Sequence, residues 1–449
     1  MNQEARFHSV RLDEEKCKGC THCIRKCPTE AIRVKGSKAQ IDEERCIDCG
    51  ECIRTCPNHA KYARTDPLVA LERFSYNIAL PAPAFYAQFR VNTPLGKMLN
   101  GLLSLGFDQV FEVARGAEIL AEEINRFLSQ KKITRPVISS ACPAVVRLIE
   151  VKFPSLLDNL LPLESPLGVA SKIARLEAMR KGFAPEEIGL FFITPCPAKV
   201  TEVRQSEQNL SRIDGAISIS SVYARLINSI DQLPDRSDIQ LSSWKGIGWG
   251  RSGGEQESLC EGEYMAVDGI HQVISVLEKI ELGELKNVTY CEAQACIGGC
   301  IGGVLAVQNP FIAKVSVNNL VKRYGTFHPI SQQDLDEWRI KQVFTRARPY
   351  QVREVLKLDS DFKKALEKYQ RIEKFLEELP GLDCGACGSP TCRALAEDVI
   401  LGKAQEIDCP FLLRDQLLKK AREIYELAKR VPQTMSPKEE KEKENVESQ

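Results

Sequence analysis

The sequence predicts three folded parts: a small α+β domain at the N-terminus, a central α/β domain, and a small helical domain near the C-terminus. The first reason is cysteine placement, because the 18 cysteines fall into three groups, with eight in 17–56, six in 142–300 and four in 384–409. The second reason is the hydrophobic pattern of the sequence between the first and last cysteine groups. Short apolar segments alternate there with amphipathic ones, as strands and helices do in α/β domains.

We place the domain boundaries where the composition changes. The N-terminal domain is assigned to 1–66, the central domain to 67–350, and the C-terminal domain, with the helix before its cysteines, to 351–430. Residues 431–449 are rich in Lys and Glu and poor in apolar side chains, so we expect a disordered tail there.

Charge and hydropathy exclude some classes of partner. The 61 basic residues balance 61 acidic ones, so the chain has no basic excess for nucleic acid or for anionic membranes. Residues 1–10 lack the charged-then-apolar pattern of a signal segment, and no apolar run is long enough to span a bilayer. We therefore expect a cytoplasmic protein whose reduced thiols bind metal instead of pairing as disulfides.

The N-terminal domain carries the motif C-x₂-C-x₂-C-x₃-C-P twice, which is the spacing of bacterial two-cluster ferredoxins. In that arrangement the last cysteine of each run ligates the other 4Fe–4S cluster. Short strands at 31–34 and 38–41 suit this small α+β fold. Two zinc sites are the alternative, but they would not need the repeated Cys-Pro ending. The two predicted ligand sets are Cys17, Cys20, Cys23 and Cys56, and Cys46, Cys49, Cys52 and Cys27.

Three segments of the central domain each read as a buried strand that ends in a loop with cysteine. The loops carry Cys142, Cys196, and the pair Cys296 and Cys300. Sites in α/β domains lie beyond the carboxyl ends of the strands, so these four thiols could together hold one 4Fe–4S cube. Each cysteine taken singly could equally be a small buried hydrophobe. A strand leading into a loop at 78–86 and a helix at 111–130 are also predicted.

The C-terminal domain begins with a charged helix over 359–378, and a shorter helix is predicted over 393–401. Its cysteines have the spacing C-x₂-C-x₄-C-x₁₆-C and would hold a third accessory 4Fe–4S cluster. Zinc is a real alternative, because four thiolates also make a closed zinc site. Of the 18 cysteines, Cys260 and Cys291 are left over, and we interpret both as ordinary buried thiols. The four predicted ligands are Cys384, Cys387, Cys392 and Cys409.

The central domain resembles the iron-iron ([FeFe]) hydrogenases in three motifs that occur in the family's order. They are SSACPAVV (139–146), TPCPAKVTE (194–202) and EAQACIGGCIGG (292–303). The resemblance covers roughly 1–430, since a two-cluster ferredoxin module precedes the catalytic domain in many members. It implies an oxidoreductase that converts H₂ reversibly to protons and electrons. The implied cofactor is an H-cluster, a 4Fe–4S cube joined to a di-iron subsite with CO, cyanide and dithiolate ligands.

The resemblance also implies roles for individual residues. The cube would be held by Cys142, Cys196, Cys296 and Cys300, and Cys300 would be shared with the di-iron subsite. Lys199 matches the family lysine that donates a hydrogen bond to one cyanide ligand. An ammonium suits that role, because a buried anionic ligand needs a charge-assisted donor. Pro83 and Ala84 match the loop that lines the other cyanide.

Several residues depart from the family pattern. Ala141 stands where catalytic members carry a cysteine that relays protons, and a methyl group cannot pass a proton, so slow turnover is predicted. Glu255 lies in a segment that resembles a loop near the site and is a candidate substitute acid. The other departures are Val145 for a tryptophan, Gln294 for a methionine, Ile297 for a proline, and Glu118, Glu122 and Glu123, which do not align with the glutamates of the usual proton exit.

The missing relay and the added C-terminal cysteines together resemble the sensory (HydS-like) branch of the family. That resemblance implies an H₂ or redox sensor that signals to a kinase or phosphatase, exchanges electrons with a partner such as ferredoxin, and receives its di-iron subsite from maturases. The sequence leaves a homodimer open. The alternatives are a metabolic ferredoxin-linked hydrogenase, a cube-only scaffold for electron transfer or cluster assembly, a regulatory protein with purely structural clusters, and an inactive paralogue in which Ala141 is drift.

Overall fold

A computed structural model describes the chain in two compact units, Met1–Lys357 and Leu358–Gln449. The N-terminal and central domains that the sequence predicts both fall in the first unit. The tail predicted over 431–449 lies outside the described residues. The described ranges are 7–130, 132–205, 212–260, 262–326, 329–346 and 348–430.

Two antiparallel strand pairs form the N-terminal part of the first unit. Its elements are β1 (Val10–Leu12), α1 (His22–Arg25), β2 (Ile32–Lys35), β3 (Lys38–Ile41), α2 (Glu51–Thr55) and β4 (Lys61–Ala63). Strand β1 pairs with β4, and β2 pairs with β3. The two predicted strands correspond to β2 and β3, with β2 displaced by one residue. The third cysteine of each run lies in α1 or α2, so each helix carries a ligand toward the centre of the module.

Two parallel sheets form the centre of the first unit. The first contains β5 (Tyr76–Pro81), β6 (Gln109–Val110), β8 (Ile188–Thr194) and β9 (Gly215–Ser218), in the order β6-β5-β8-β9. The second contains β7 (Val137–Ile138), β10 (Tyr264–Asp268) and β11 (Tyr290–Gln294), in the order β10-β11-β7. All seven residues of β8 are buried, as expected of a parallel strand covered on both faces. The predicted α/β class is confirmed.

The helices of the central domain connect and cover these strands. They are α3 (Leu95–Ser104), α4 (Val113–Leu128), α5 (Pro143–Lys152), α6 (Pro166–Arg180), α7 (Pro197–Arg204), α8 (Ile219–Leu226), α9 (Trp244–Gly248), α10 (Ile270–Glu281), α11 (Pro310–Arg323) and α12 (Gln332–Ile340). Helix α4 occupies most of the predicted 111–130 segment. The loop predicted after β5 is instead a 3-10 turn, Pro83–Gln88, whose residues are all buried.

Cys-Pro pairs place two cysteines directly before helices. Pro143 is the first residue of α5 and Pro197 is the first residue of α7. Proline suits the first helical position, because its fixed φ is already helical and its missing N–H would have no intrahelical acceptor there. Each preceding cysteine is therefore held in extended backbone between a strand and a helix. Both cysteines thus occupy rigidly defined positions.

The second unit is helical, as predicted. It contains α13 (Phe362–Glu378), α14 (Cys392–Ile400) and α15 (Pro410–Ala428). Asp361 caps α13 by accepting hydrogen bonds from the backbone N–H groups of Lys363 and Lys364, at 2.8 and 3.1 Å. Apolar residues of α13 and α14 form a small core, centred on Ile372 and Leu395. Across both units, none of the described helices is both long enough and apolar enough to cross a membrane.

Candidate metal centre

Four cysteines of the central domain lie together in loops that follow strands of its two parallel sheets. Cys142 follows β7, Cys196 follows β8, Cys296 follows β11, and Cys300 begins a 3-10 turn. Burial raises the pKa of the Cys300 thiol far above its usual range, and the thiolates of Cys142 and Cys196 raise it further. Cys296 is buried and feels the same neighbours. A cationic iron–sulfur core between these thiols would remove the penalty for ionising them.

Two glycines allow the third-motif loop to close around this centre. Gly299 has φ +93°, and a Cβ there would lie 2.4 Å from Oε1 of Gln294 and 2.6 Å from the backbone N of Ser252. A Cβ on Gly303 would lie 2.3 Å from the backbone O of Pro195, the residue before the second-motif cysteine. No side chain fits either position without displacing backbone or a buried amide. The glycines therefore allow the third motif to pack against the second motif and against the loop at Ser252.

Two polar side chains, Lys199 and Gln294, lie near the four cysteines. The side chain of Lys199 is 12% exposed, and its Nζ lies 2.7 Å from Oε2 of Glu202. The charge of Lys199 lowers the pKa of Cys300 and of Cys196. Oε1 of Gln294 is buried without a hydrogen-bond partner among the described residues. The ammonium of Lys199 beside a cysteine cluster fits an anionic ligand group better than a sealed apolar core, and the Gln294 oxygen is open to a hydrogen-bond donor.

A loop after α9 packs against both the third-motif loop and the segment at Pro83 and Ala84. A Cβ on Gly250 would lie 3.2 Å from the backbone atoms of Pro83 and Ala84, so the loop contacts the segment predicted to line a cyanide ligand. The backbone N–H of Ile301 donates to the backbone O of Gly250 at 2.9 Å, which joins the same loop to the residue after Cys300. The predicted lining residues and the residue after Cys300 therefore contact the same loop.

Glu255 is buried at the end of this loop. Its carboxylate accepts hydrogen bonds from Oγ of Ser139, at 2.8 Å, and from the hydroxyl of Tyr290. Burial raises the pKa of Glu255 to about 7, although both hydrogen bonds oppose that rise. Since Ser139 Oγ also accepts the backbone N–H of Ala141 at 3.3 Å, the carboxyl is connected to the residue that precedes the first-motif cysteine.

A second buried carboxyl, Glu292, lies on β11 behind the first. It accepts the backbone N–H groups of Gly253 and Gln256, each at 3.0 Å. Burial and then repulsion from Glu255 raise the pKa of Glu292 to about 8. Two buried carboxyls that repel each other retain a proton near neutral pH. The pair Glu255 and Glu292 can therefore store a proton near Cys300.

The residues that depart from the family pattern lie in different surroundings. Ala141 is half-buried, with its methyl group packed against the main core, and Val145 is fully buried in α5. Ile297 is 51% exposed, so no close packing requires an apolar side chain there.

The three glutamates of α4 have structural partners and do not reach the cysteines. Glu118 accepts hydrogen bonds from Ser243 and Gly246 at the start of α9, and its carboxylate pairs with Arg115. Glu122 lies 3.6 Å from Nζ of Lys245, and Glu123 pairs with Arg339 at 2.8 Å. They hold neighbouring elements against α4.

The eight N-terminal cysteines form two groups. The first group, together with Lys61, lines one small cavity. In the second group, burial raises the pKa of Cys46, Cys49 and Cys52, the three members that come from the second run. Repulsion from Cys27, the last cysteine of the first run, raises those pKa values further. Backbone N–H groups of Ala31 and Ala60 donate to Sγ of Cys27 and Cys56, at 3.2 and 3.3 Å. The groups are Cys17, Cys20, Cys23 and Cys56, and Cys46, Cys49, Cys52 and Cys27.

One buried carboxylate joins the N-terminal module to the central domain. Asp48 lies between two cysteines of the second run, and its side chain has no exposed surface. Its Oδ2 lies 3.0 Å from Nδ1 of His8 and 3.1 Å from a guanidinium nitrogen of Arg147, and it accepts the hydroxyl of Thr201 at 2.8 Å. Arg147 is in α5 and Thr201 is in α7. The carboxylate thus ties one cysteine run to α5 and α7, the helices that follow Cys142 and Cys196.

The four cysteines of the second unit also lie together. Burial raises the pKa of Cys387, and the thiolates of Cys409 and Cys384 raise it further. Cys392 is the first residue of α14 and packs in the same apolar cluster. Three of the four predicted ligands therefore pack in one apolar cluster, and the exposed Cys384 acts electrostatically on Cys387.

The two remaining cysteines differ. Cys291 is fully buried, as predicted, but Cys260 is exposed and the prediction for it was wrong. Cys260 follows a short 3-10 turn at the surface, where its backbone N–H donates to Asn125 Oδ1 at 2.9 Å. Its neighbours in sequence gave no signal of this exposure.

Sequence reasoning missed four polar residues of the centre: Ser139, Glu202, Tyr290 and Glu292. Each lies inside a quoted motif or within two residues of one. Only Glu202 had a local signal, since it is three residues after Lys199 on the same helix and can meet it there.

Comparisons with known proteins agree across three parts of the chain. Residues 75–264 match the family described as iron only hydrogenase large subunit, C-terminal domain. Residues 9–57 match a 4Fe-4S dicluster domain, and residues 379–411 match an Fe-S cluster family. The last match supports the iron–sulfur interpretation of the C-terminal cysteines over zinc.

Individual hydrogenases are similar over long stretches. The chain is 31% identical over 293 residues to the periplasmic [Fe] hydrogenase large subunit of Nitratidesulfovibrio vulgaris, covering 59% of this chain and 70% of that protein. It is 26% identical over 377 residues to iron hydrogenase 1 of Clostridium pasteurianum, covering 67% of this chain and 65% of that protein. A variant of [FeFe]-hydrogenase HydA1 from Chlamydomonas reinhardtii is 16% identical with a TM-score of 0.49, covering 64% of this chain and 98% of that one. Because the similarity to the Nitratidesulfovibrio vulgaris subunit reaches 31% identity and covers 70% of that protein, the chain belongs to the iron-only ([FeFe]) hydrogenase family.

Proposed function

We propose that this protein interconverts H₂ with protons and electrons at an H-cluster, turns over slowly, and acts as an H₂ or redox sensor. The observation that carries the proposal is the meeting of four strand-end cysteines with the buried ammonium of Lys199 and the unsatisfied amide of Gln294. A cube alone would use the four thiols, but it would leave Lys199 paired only with Glu202 and the oxygen of Gln294 without a hydrogen-bond donor. When bound, the di-iron subsite would supply the cleavage and formation of H₂.

The residues around the pocket would hold and shield that group. Lys199 would donate to one cyanide, while Glu202 fixes the ammonium from the other side at 2.7 Å. The backbone of Pro83 and Ala84 would line the other cyanide, because the loop at Gly250 presses it toward the pocket. Gln294 would turn its amide toward the di-iron subsite. These contacts would orient the group and keep water from its open side.

Proton transfer is where the residues of this chain depart from a fast enzyme. Ala141 carries no group that ionises, so a proton must come from another residue near the site. We assign Glu255 as that source, because it is hydrogen-bonded through Ser139 to the backbone at Ala141. Glu292 would recharge it, since the two carboxyls share a proton near neutral pH. A proton that crosses this longer gap is transferred slowly.

Replacing Glu255 with glutamine is expected to lower H₂ evolution about 100-fold, the lower range for losing a positioned proton-transfer group. In the parent protein, evolution should also decline as the pH rises through about 7, because the carboxyl loses the proton that it donates. The glutamine variant should lack this decline. Initial rates between pH 5.5 and 8.5 measure both effects.

The matched control for that variant is Glu257→Gln. Glu257 is exposed on the same loop and pairs with Arg251 at 2.9 Å, away from the carboxyl pair. Its rate and pH profile should follow the parent. A Glu255→Gln protein with unchanged rate and profile, and with intact cofactor bands in the infrared, would exclude Glu255 from the proton route.

Electrons would leave through the accessory clusters. Cys49 packs in the same apolar cluster as Cys142 and Cys196, which supports direct transfer between the cube and the nearer N-terminal cluster. A redox partner such as ferredoxin would take electrons from the outer cluster. The C-terminal cluster, which a metabolic enzyme would not require, supports the sensory alternative, with a kinase or phosphatase as the receiver of the signal.

The test of the proposed function is infrared spectroscopy of anaerobically matured protein, with and without H₂, in the CO and cyanide stretching region. Bands that shift under H₂, with turnover far below that of a control hydrogenase matured alongside, support the sensor. Shifting bands with turnover like that of the control indicate a metabolic hydrogenase. No bands, while the control hydrogenase shows them, would replace the proposal with a cube-only scaffold.

Replacing Cys392 with serine is expected to remove one cluster from the EPR spectrum of the reduced protein and to leave the H-cluster infrared bands intact. The iron content should fall by about four atoms per chain, the content of one 4Fe–4S cube. The matched control is Cys260→Ser, because Cys260 is exposed and belongs to none of the cysteine groups. An unchanged EPR spectrum with a loss of zinc would restore the zinc alternative.

A further inference from the structure

Lys61 is a buried cation without a partner in the N-terminal module. Its side chain lies in β4, opposite Leu12 of β1, and the residue is 3% exposed. Its Nζ has no hydrogen-bond partner among the described residues. Lysine is almost never this buried unless it is paired, because taking an ammonium out of water is costly. The fold therefore requires a nearby negative charge here, and none of the described carboxylates forms an ion pair with Lys61.

The surroundings of Lys61 indicate where that charge lies. The side chain lines the cavity formed by the first N-terminal group of cysteines. Its charge also lowers the pKa of Cys23 in that group and of Cys52 in the other. Cys23 and Cys52 also pack in one apolar cluster with Ala60, the residue before Lys61, so the ammonium lies near predicted ligands of both clusters.

A 4Fe–4S cube held by four thiolates is a net anion, and its negative charge grows by one when it accepts an electron. An ammonium fixed nearby stabilises the reduced cube more than the oxidised one, and the low dielectric of a buried site preserves the effect. The lysine itself gains and loses nothing in this step. The electron comes from the neighbouring cluster and passes on to the next.

We propose that Lys61 is a positioning residue that raises the reduction potentials of both N-terminal clusters, and so keeps both of them reducible by electrons from the central site. This inference rests on the two accessory clusters of the proposed function and not on the H₂ chemistry. The inference concerns Lys61 itself, because the cysteine motifs do not specify which residue stands at position 61.

The test is a redox titration of the intact, reconstituted protein, followed by EPR. Lys61→Met is expected to shift both N-terminal midpoint potentials to more negative values, while the C-terminal cluster stays in place as an internal reference. Lys61→Arg should restore the parent values. The shift should also persist at high salt, because ions do not screen a buried charge well.

The matched control is Lys18→Met. Lys18 lines the same cavity but is exposed, so its charge is screened by water and salt. Its removal should shift the potentials less than the removal of Lys61, and the small shift should vanish at high salt. Unchanged potentials in Lys61→Met, at full iron content, would overturn the proposal.

Iron analysis covers the case in which Lys61→Met does not assemble its clusters. Assembly in Lys61→Arg but not in Lys61→Met would still show that the clusters need the charge. Loss of iron in both variants would assign the lysine to packing and overturn the proposal. An H₂-inactive preparation does not affect this test, because the readouts are the potentials and iron of the N-terminal clusters.

Discussion

Replacing Ala141 with cysteine is expected to raise H₂ turnover about 100-fold, the lower range for adding a positioned proton-transfer group. The new thiol would stand directly before the cube ligand Cys142, where the resemblance implies the relay of catalytic members. The site can take it, because Ala141 is only half-buried. The measurement is the rate of H₂ evolution per H-cluster, with the cofactor quantified from its infrared bands.

The control variant is Ala141→Ser. A serine hydroxyl has nearly the size of the thiol but is a far weaker acid, so it should recover much less of the rate. A rise of equal size in both variants would assign the gain to polarity or packing. An unchanged rate in Ala141→Cys with intact bands would show that the missing relay does not limit turnover.

The double variant Ala141→Cys with Glu255→Gln tests whether the two groups belong to one route. If the thiol receives its proton through Ser139 and Glu255, the gain from the cysteine should disappear in the glutamine background. Independent routes would leave the gain unchanged, because effects of uncoupled sites add in free energy. This cycle separates a restored relay from a second, parallel one.

Local patterns made the cysteine groups and their fold predictable. Spacing within each run determines which thiols face a common centre, and Cys-Pro pairs determine where α5 and α7 begin. Parallel strands with apolar residues on both faces indicated the α/β class in the same way, as β8 illustrates. All of these signals act over a few residues, which is the range in which sequence determines backbone conformation directly.

The polar partners were not predictable, because they meet only after distant elements pack. Glu255 and Tyr290 are 35 residues apart, and nothing near either one signals the other. Asp48 lies 99 residues from Arg147 and 153 from Thr201. A buried carboxylate in a cysteine run reads locally as an ordinary loop residue. The role of Asp48 depends on which strand ends of the central domain the N-terminal module packs against.

Replacing Asp48 with asparagine is expected to destabilise the attachment of the N-terminal module by about 3 to 5 kcal/mol, the usual cost of breaking a buried ion pair from one side. The variant would leave Arg147 and His8 buried beside a neutral amide. Burial alone would raise the pKa of Asp48, but the hydrogen bond from His8 and the charge of Arg147 lower it, which identifies the ionised form as the one the fold binds. Hydrogen exchange measures the effect, as faster exchange across the module.

The matched control is Glu43→Gln on the same module. Glu43 pairs with Arg11 at 2.8 Å, but its side chain is 48% exposed, and such surface pairs contribute only about 0 to 1 kcal/mol. If Asp48→Asn exchanges no faster than this control, the carboxylate is not what holds the module in place. If it does exchange faster, electron transfer between the cube and the nearer N-terminal cluster should slow with it. Asp48 contacts both α5 and α7, the helices that follow Cys142 and Cys196, so the same loss would loosen the spacing between the two clusters.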